Sequence, residues 1–263
     1  MTISPHADFS QRPHPLQGEC RRCGKEHSLC LGRAPVLGAG LMMQLISRGC
    51  LDGGGPRPAT GVHSTLPLFG ENRGKMLGVL EGVDACGKPV VLRAFSGQFN
   101  GLWNIDGWVP PLFDIQVWQE ENTRTEKEIK HLGAVINQAQ ENDSTLLFLK
   151  RRRKLLSRKL MARLHELYHL QNFRGERAAL GDFFTDRRGI PTGAGDCCAP
   201  KLLNYAVLHD IIPFGITEFY WGRTTRSKDR VHGRFYPACT EKCLPLMGFL
   251  LCGLEERQRQ RIS

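Results

Sequence analysis

Lys75-Met76-Leu77-Gly78-Val79-Leu80-Glu81-Gly82-Val83, Asp84-Ala85-Cys86-Gly87-Lys88 and Pro89-Val90-Val91-Leu92-Arg93-Ala94-Phe95-Ser96 follow one another without a break. Two short apolar runs flank a polar stretch containing glycine, which predicts a β-hairpin. A further strand fits Gly215 to Trp221. Helical patterns lie between and after these strands, so the expected fold is α/β, a small sheet flanked by helices. The loop carrying Trp103, Trp108, Pro110, Pro111 and Phe113 is expected to pack over that sheet, although such rings can also stack nucleobases.

Working outward, Val36 to Cys50 reads as a helix with one apolar side, and Leu51 to Pro67, with three consecutive glycines and scattered prolines, reads as a linker. The expected organisation is a Cys-containing segment and linker over 1–70, an α/β domain over 71–255 and a charged tail over 256–263. A helical hairpin is expected as an insertion at about 120–175. Its first helix runs from Thr125 to Gln140, with Ile129, Leu132, Val135 or Ile136, and Ala139 on the apolar side. Glu141-Asn142-Asp143-Ser144 supplies a polar turn. In the second helix Leu149, Leu156, Leu160, Leu164 and Leu167 recur at helical spacing.

The other faces of that second helix are cationic. Lys150, Arg151, Arg152, Arg153, Lys154, Arg158, Lys159 and Arg163 place eight cations within fourteen residues with no acid among them. The whole chain of 263 residues carries a formal charge of +10, which favours a polyanionic partner over a neutral metabolite. A one-signed helix face of this kind is expected to bind an RNA phosphate backbone, with the steep salt dependence of counterion release.

The ten cysteines are clustered rather than spread as a secreted disulfide framework, which points to a reducing, cytoplasmic setting. No apolar leader or run of membrane-spanning length is visible, so no membrane association is expected. In Gly195-Asp196-Cys197-Cys198-Ala199-Pro200-Lys201, Asp196 fits an N-cap and Pro200 a first helical turn. In Pro237-Ala238-Cys239-Thr240-Glu241-Lys242-Cys243, the sulfurs share a face if they lie in a helix, or sit in the preceding turn if Pro245 opens it. Thiols near helix starts are biased toward thiolate, the form that zinc binds. The expected ligands of one structural zinc are Cys198, Cys239 and Cys243, with Cys197 or His232 as the fourth. A second metal site is expected from the compact run of Cys20, Cys23, His27 and Cys30.

Leu92 to Gln98, Gly107-Trp108-Val109-Pro110-Pro111-Leu112-Phe113-Asp114, the basic helix, Gly193 to Leu203 and His232 to Cys239 together resemble the N-terminal extension of long bacterial RNA pseudouridine synthases of the RluA type. The resemblance spans roughly Gly74 to Leu254. It implies RNA, ribosomal or transfer, as the partner, and a catalytic domain whose Arg-Leu-Asp motif isomerises uridine. No Arg-Leu-Asp triplet occurs here, so this chain is expected to serve as an RNA-binding accessory module and to need a catalytic domain from elsewhere. The competing expectation is a zinc-dependent deaminase-like protein acting on a nucleobase or nucleotide, because the order of strands, cysteine-bearing helix, strand and Pro-x-Cys-x-x-x-Cys is similar to that of cytidine deaminases. Two features depart from that pattern. Cys198 has no glutamate two residues on, Glu218 and Glu241 standing elsewhere, and the closing cysteines are spaced by three intervening residues rather than two.

Overall fold

The computed structural model describes residues 13–51, 61–70, 73–139, 145–185 and 189–262. The chain opens with a hairpin of β1 (Leu16–Cys20) and β2 (Lys25–Leu29), followed by α1 (Ala34–Arg48). Strands β3 (Lys75–Val83) and β4 (Pro89–Phe95) form the hairpin expected from the sequence. Asp84 closes its turn, its Oδ1 accepting the N–H groups of Cys86 and Lys88 at 2.9 Å each. Gly87 takes the left-handed φ of 82° that the turn requires.

Next come α2 (Ile115–Gln138), α3 (Leu146–Glu166), the short pair β5 (His169–Gln171) and β6 (Arg177–Ala179), and α4 (Cys198–Leu208). The chain continues through β7 (Ile212–Trp221), β8 (Phe235–Tyr236), α5 (Leu244–Leu251) and α6 (Leu254–Ile262). Helix α2 starts ten residues before the apolar periodicity suggested, because Asp114 caps it by accepting from the N–H groups of Gln116 and Val117. Of the expected helix and turn, Gln140 to Ser144 lie outside the described residues.

The main sheet is antiparallel, in the order β4-β3-β7-β8. Alternation along its strands assigns each face. Leu77, Val79, Phe219 and Trp221 pack with Leu41, Met42 and Leu45 of α1, whereas Leu80, Ala94 and Ile216 pack with Cys198, Leu202 and Leu203 of α4. The sheet is therefore covered by α1 on one side and by α4 on the other, with α5 packed between α4 and the first hairpin, a mixed α/β architecture. Gly78 lets α4 come close, since a Cβ there would stand 2.6 Å from the Cβ of Cys198. Leu16 and Leu29 share the second core with Leu246 and Met247, so β1 and β2 pack directly on α5. Trp103, Trp108 and Phe113 are buried; Trp103 meets Phe113 edge-on at 4.9 Å, and Trp108 donates to the carbonyl of Leu51 at 3.0 Å. The aromatic loop packs rather than projecting.

A candidate metal centre and a basic helical hairpin

Cys197 is the N-cap residue of α4 and Cys243 that of α5. In the turn before α5, the N–H groups of Cys243 and Leu244 both donate to the carbonyl of Cys239, at 3.2 and 3.0 Å. That turn brings the Cys239 and Cys243 sulfurs to 3.2 Å, and Cys197 lies 3.9 Å from Cys239. All three sulfurs fall within 4.8 Å of one another. A tetrahedral zinc with Zn–S bonds of about 2.3 Å separates its sulfurs by roughly 3.8 Å, so the donor set suits such an ion. Two helix N-termini meet here, with Cys197 and Cys243 as their N-cap residues.

Hydrogen bonds from Cys197 and Cys243 hold the Cys239 thiol well below its ordinary range. The same bonds push Cys197 and Cys243 upward, with burial adding to both. Three sulfurs held this close form a donor set that a bound cation would convert to thiolates.

Around this cluster lies an open cavity of about 720 Å³, lined by Lys75, Asp196, Cys197, Arg230, Cys239 and Lys242 among others. Burial raises the pKa of Asp196, against the opposing hydrogen bond from the Tyr168 hydroxyl at 2.7 Å and the charges of Lys201, Lys242 and Lys75. Glu218, on the α4 face of β7, is 7% exposed and accepts from the Ala199 N–H at 2.7 Å. Burial pushes its carboxyl up to about 7. Lys201 is buried; its Nζ donates to the Phe95 carbonyl at 2.7 Å and lies 4.6 Å above that residue's ring.

Two of the expected ligands stand elsewhere. Cys198 begins the helix proper and turns its thiol into the sheet, donating to the carbonyls of Met76 at 3.3 Å and Ala94 at 3.5 Å. Consecutive residues at a helix start point in different directions, so only Cys197 reaches the other two sulfurs. His232 sits between Phe69 at 5.0 Å and Trp221 at 4.4 Å, and its Nδ1 accepts from the Gly222 N–H. Its ring belongs to the α1 side of the sheet.

A second cluster joins Cys20, Cys23 and His27 with Cys252, their donor atoms all within 4.8 Å. Cys30 is exposed and takes no part, because it lies beyond the end of β2. Cys252 was not legible as a partner, since 225 residues separate it from His27 and no short spacing marks it. Either cluster could hold a metal.

Helices α2 and α3 form an antiparallel pair, tied by Arg152 to Glu128 at 2.7 Å and Arg163 to Glu121 at 3.6 Å. Leu132 and Ile136 of α2 and Leu160 and Leu164 of α3 are buried. Arg153 is half-buried, its guanidinium close to Gly133 of α2. Lys150, Arg151, Lys154, Arg158 and Lys159 are exposed and form no ion pair with a described residue. The cationic run thus divides into two exposed arginines paired with acids of α2, a half-buried Arg153 and five exposed residues that form no ion pair with a described residue.

Compared with family models, with curated proteins and with solved structures, the chain finds no match. Among the described residues no helix is long and apolar enough to cross a membrane.

Proposed function

We propose that this chain is an RNA-binding module of the RluA pseudouridine-synthase type, carrying a zinc centre at Cys197, Cys239 and Cys243. The observation that carries the RNA half is the set of five exposed cations on α3 that form no ion pair with a described residue, beside a helix whose Glu121 and Glu128 pair with other arginines. Phosphates bound there release counterions, so affinity falls steeply with salt. A catalytic domain carrying the Arg-Leu-Asp motif would supply uridine isomerisation.

A second reading, hydrolytic removal of an amine from a base, is favoured by one specific feature. With Cys197 as the first ligand, the residue two positions on is Ala199, and the Glu218 carboxylate reaches that residue's N–H from β7. Glu218, delivered from β7, is on this reading the candidate for the proton carrier that the deaminase pattern takes from its own helix. Cys197, Cys239 and Cys243 would hold a zinc ion, which would supply a Lewis acid able to make hydroxide accessible near neutral pH. Lys75, Arg230 and Lys242 would draw a phosphate-bearing substrate to the cavity. Asp196 or Glu218 would accept a proton from water and return it to the departing amine, so that one water is consumed and one ammonia released.

Filter binding of bulk RNA tests the first reading. A variant with Arg151, Lys154, Arg158 and Lys159 changed to Glu should lose binding while keeping its circular dichroism; unchanged affinity would remove the hairpin from the interface. Ammonia release from RNA or cytidine tests the second. Turnover that disappears in Cys239→Ser and Glu218→Gln would establish it, and its absence from the zinc-loaded wild type would leave the accessory reading alone.

A further inference from the structure

Helix α5 is eight residues long, about 12 Å at 1.5 Å per residue, and a metal-ligand candidate stands at each end. Cys243 is its N-cap and belongs to the centre beside the cavity; Cys252 is its C-cap and belongs to the second cluster. The other three members of that cluster come from the β1–β2 hairpin. Cys20 ends β1, Cys23 lies in the turn, and His27 is on β2. Cys23 Sγ is 3.1 Å from His27 Nε2 and 3.8 Å from Cys252 Sγ. Tetrahedral zinc with three sulfurs and one imidazole has edges of roughly 3.5 to 3.8 Å, close to these spacings. Cys20, His27 and Cys252 are buried, and Cys23 is half-buried. Four protein donors leave no position for water, which is the pattern of a structural rather than a catalytic ion.

The packing around the cluster is as close as backbone allows. A Cβ on Gly248 of α5 would overlap the Glu19 carbonyl of β1, and one on Gly18 would stand 2.5 Å from the Gly248 nitrogen. The hairpin is therefore pressed on α5 along its length and joined to it at the C-cap.

We propose that Cys20, Cys23, His27 and Cys252 form a closed structural zinc site that pins the N-terminal hairpin to the C-cap of α5, and that this clamp keeps Cys243 and Cys239 in place for the centre at the other end. The second clause rests on the proposed zinc at Cys197, Cys239 and Cys243; the first does not. A ligand set drawn from both ends of the chain makes the ion a cross-link across more than 220 residues.

The test is zinc content of the full-length chain by elemental analysis, with zinc release to a chromogenic chelator followed in time. The wild type should carry two ions. Cys252→Ser should carry one, and its remaining ion should leave at least tenfold faster than the cavity-side ion of the wild type. His27→Cys, which keeps four donors, and Cys30→Ser should both retain two. Cys239→Ser should keep the clamp ion; a wild type with one ion that survives Cys239→Ser would sink the cavity-side zinc and leave the clamp standing. Two ions in Cys252→Ser, or a single wild-type ion lost in Cys239→Ser, would overturn the clamp. Unchanged release from Cys252→Ser would overturn the coupling. Should Cys252→Ser fail to fold, cobalt substitution of the wild type decides, since a tetrahedral three-sulfur, one-nitrogen spectrum must appear and must persist in Cys239→Ser; its absence would overturn the proposal.

Discussion

Gly78 decides how near α4 can approach the sheet, and through that approach where Cys197 lies. Gly78→Ala would drive a Cβ to 2.6 Å from that of Cys198, with no flexible side-chain end to yield. It should cost about 1–3 kcal/mol in chemical denaturation and weaken zinc binding at Cys197. Two histidines carry a pH signature. Burial lowers the proton affinity of His165 and of His232, both below the ordinary value of 6.5. The unfolded chain then binds more protons than the native one, so the stability of the neutral rings is complete above pH 6.5 and is lost as pH falls toward their lowered native values. Urea midpoints should drop between pH 7.5 and 5.5, and the drop should be smaller when both residues are replaced by Gln.

The helical hairpin shows how local rules and pairing divide the work. Asp114 meets two of the N–H groups left open at the start of α2, and Asp114→Ala should cost about 1 kcal/mol, read as a lower melting temperature. Leu164 is 4% exposed at the seam, and Leu164→Ala should cost about 2–5 kcal/mol by the same measurement. The ion pairs between α2 and α3 are half-exposed at 53% and 43% for Arg152 and Glu128, so breaking that pair should change stability by less than about 1 kcal/mol. Its consequence is electrostatic: Arg152 and Arg163 stay more than half exposed but have their charge offset by acids of α2, while Lys150, Arg151, Lys154, Arg158 and Lys159 form no ion pair with a described residue. The periodicity of leucines alone located this seam, because amphipathic spacing is a local property.

At the scale of the molecule, two cysteine clusters draw together α4, α5 and the first hairpin, so stability should depend on metal. Treatment with a strong chelator should lower the melting temperature, and added zinc should restore it; a transition that ignores both would exclude zinc as a structural element. The local signals were sufficient for the β3–β4 hairpin, strand β7 and the helical pair, since each rests on spacing, capping or turn chemistry within a few residues; between helix and turn for Cys239 and Cys243 the sequence left both open, and α5 starts only at Leu244. Cys197, Cys239 and Cys243 were also visible, as thiols beside helix starts. What sequence could not decide was which of two adjacent cysteines faces the cluster, because the twist of α4 against Gly78 turns Cys198 into the sheet and Cys197 away from it. It could not reveal Cys252, whose partners are at the opposite end of the chain, or Glu218, whose carboxylate reaches Ala199 only across the packed face of β7. Composition and periodicity determined the elements and the charge; the convergence of ligands arises from long-range packing, which no local pattern encodes.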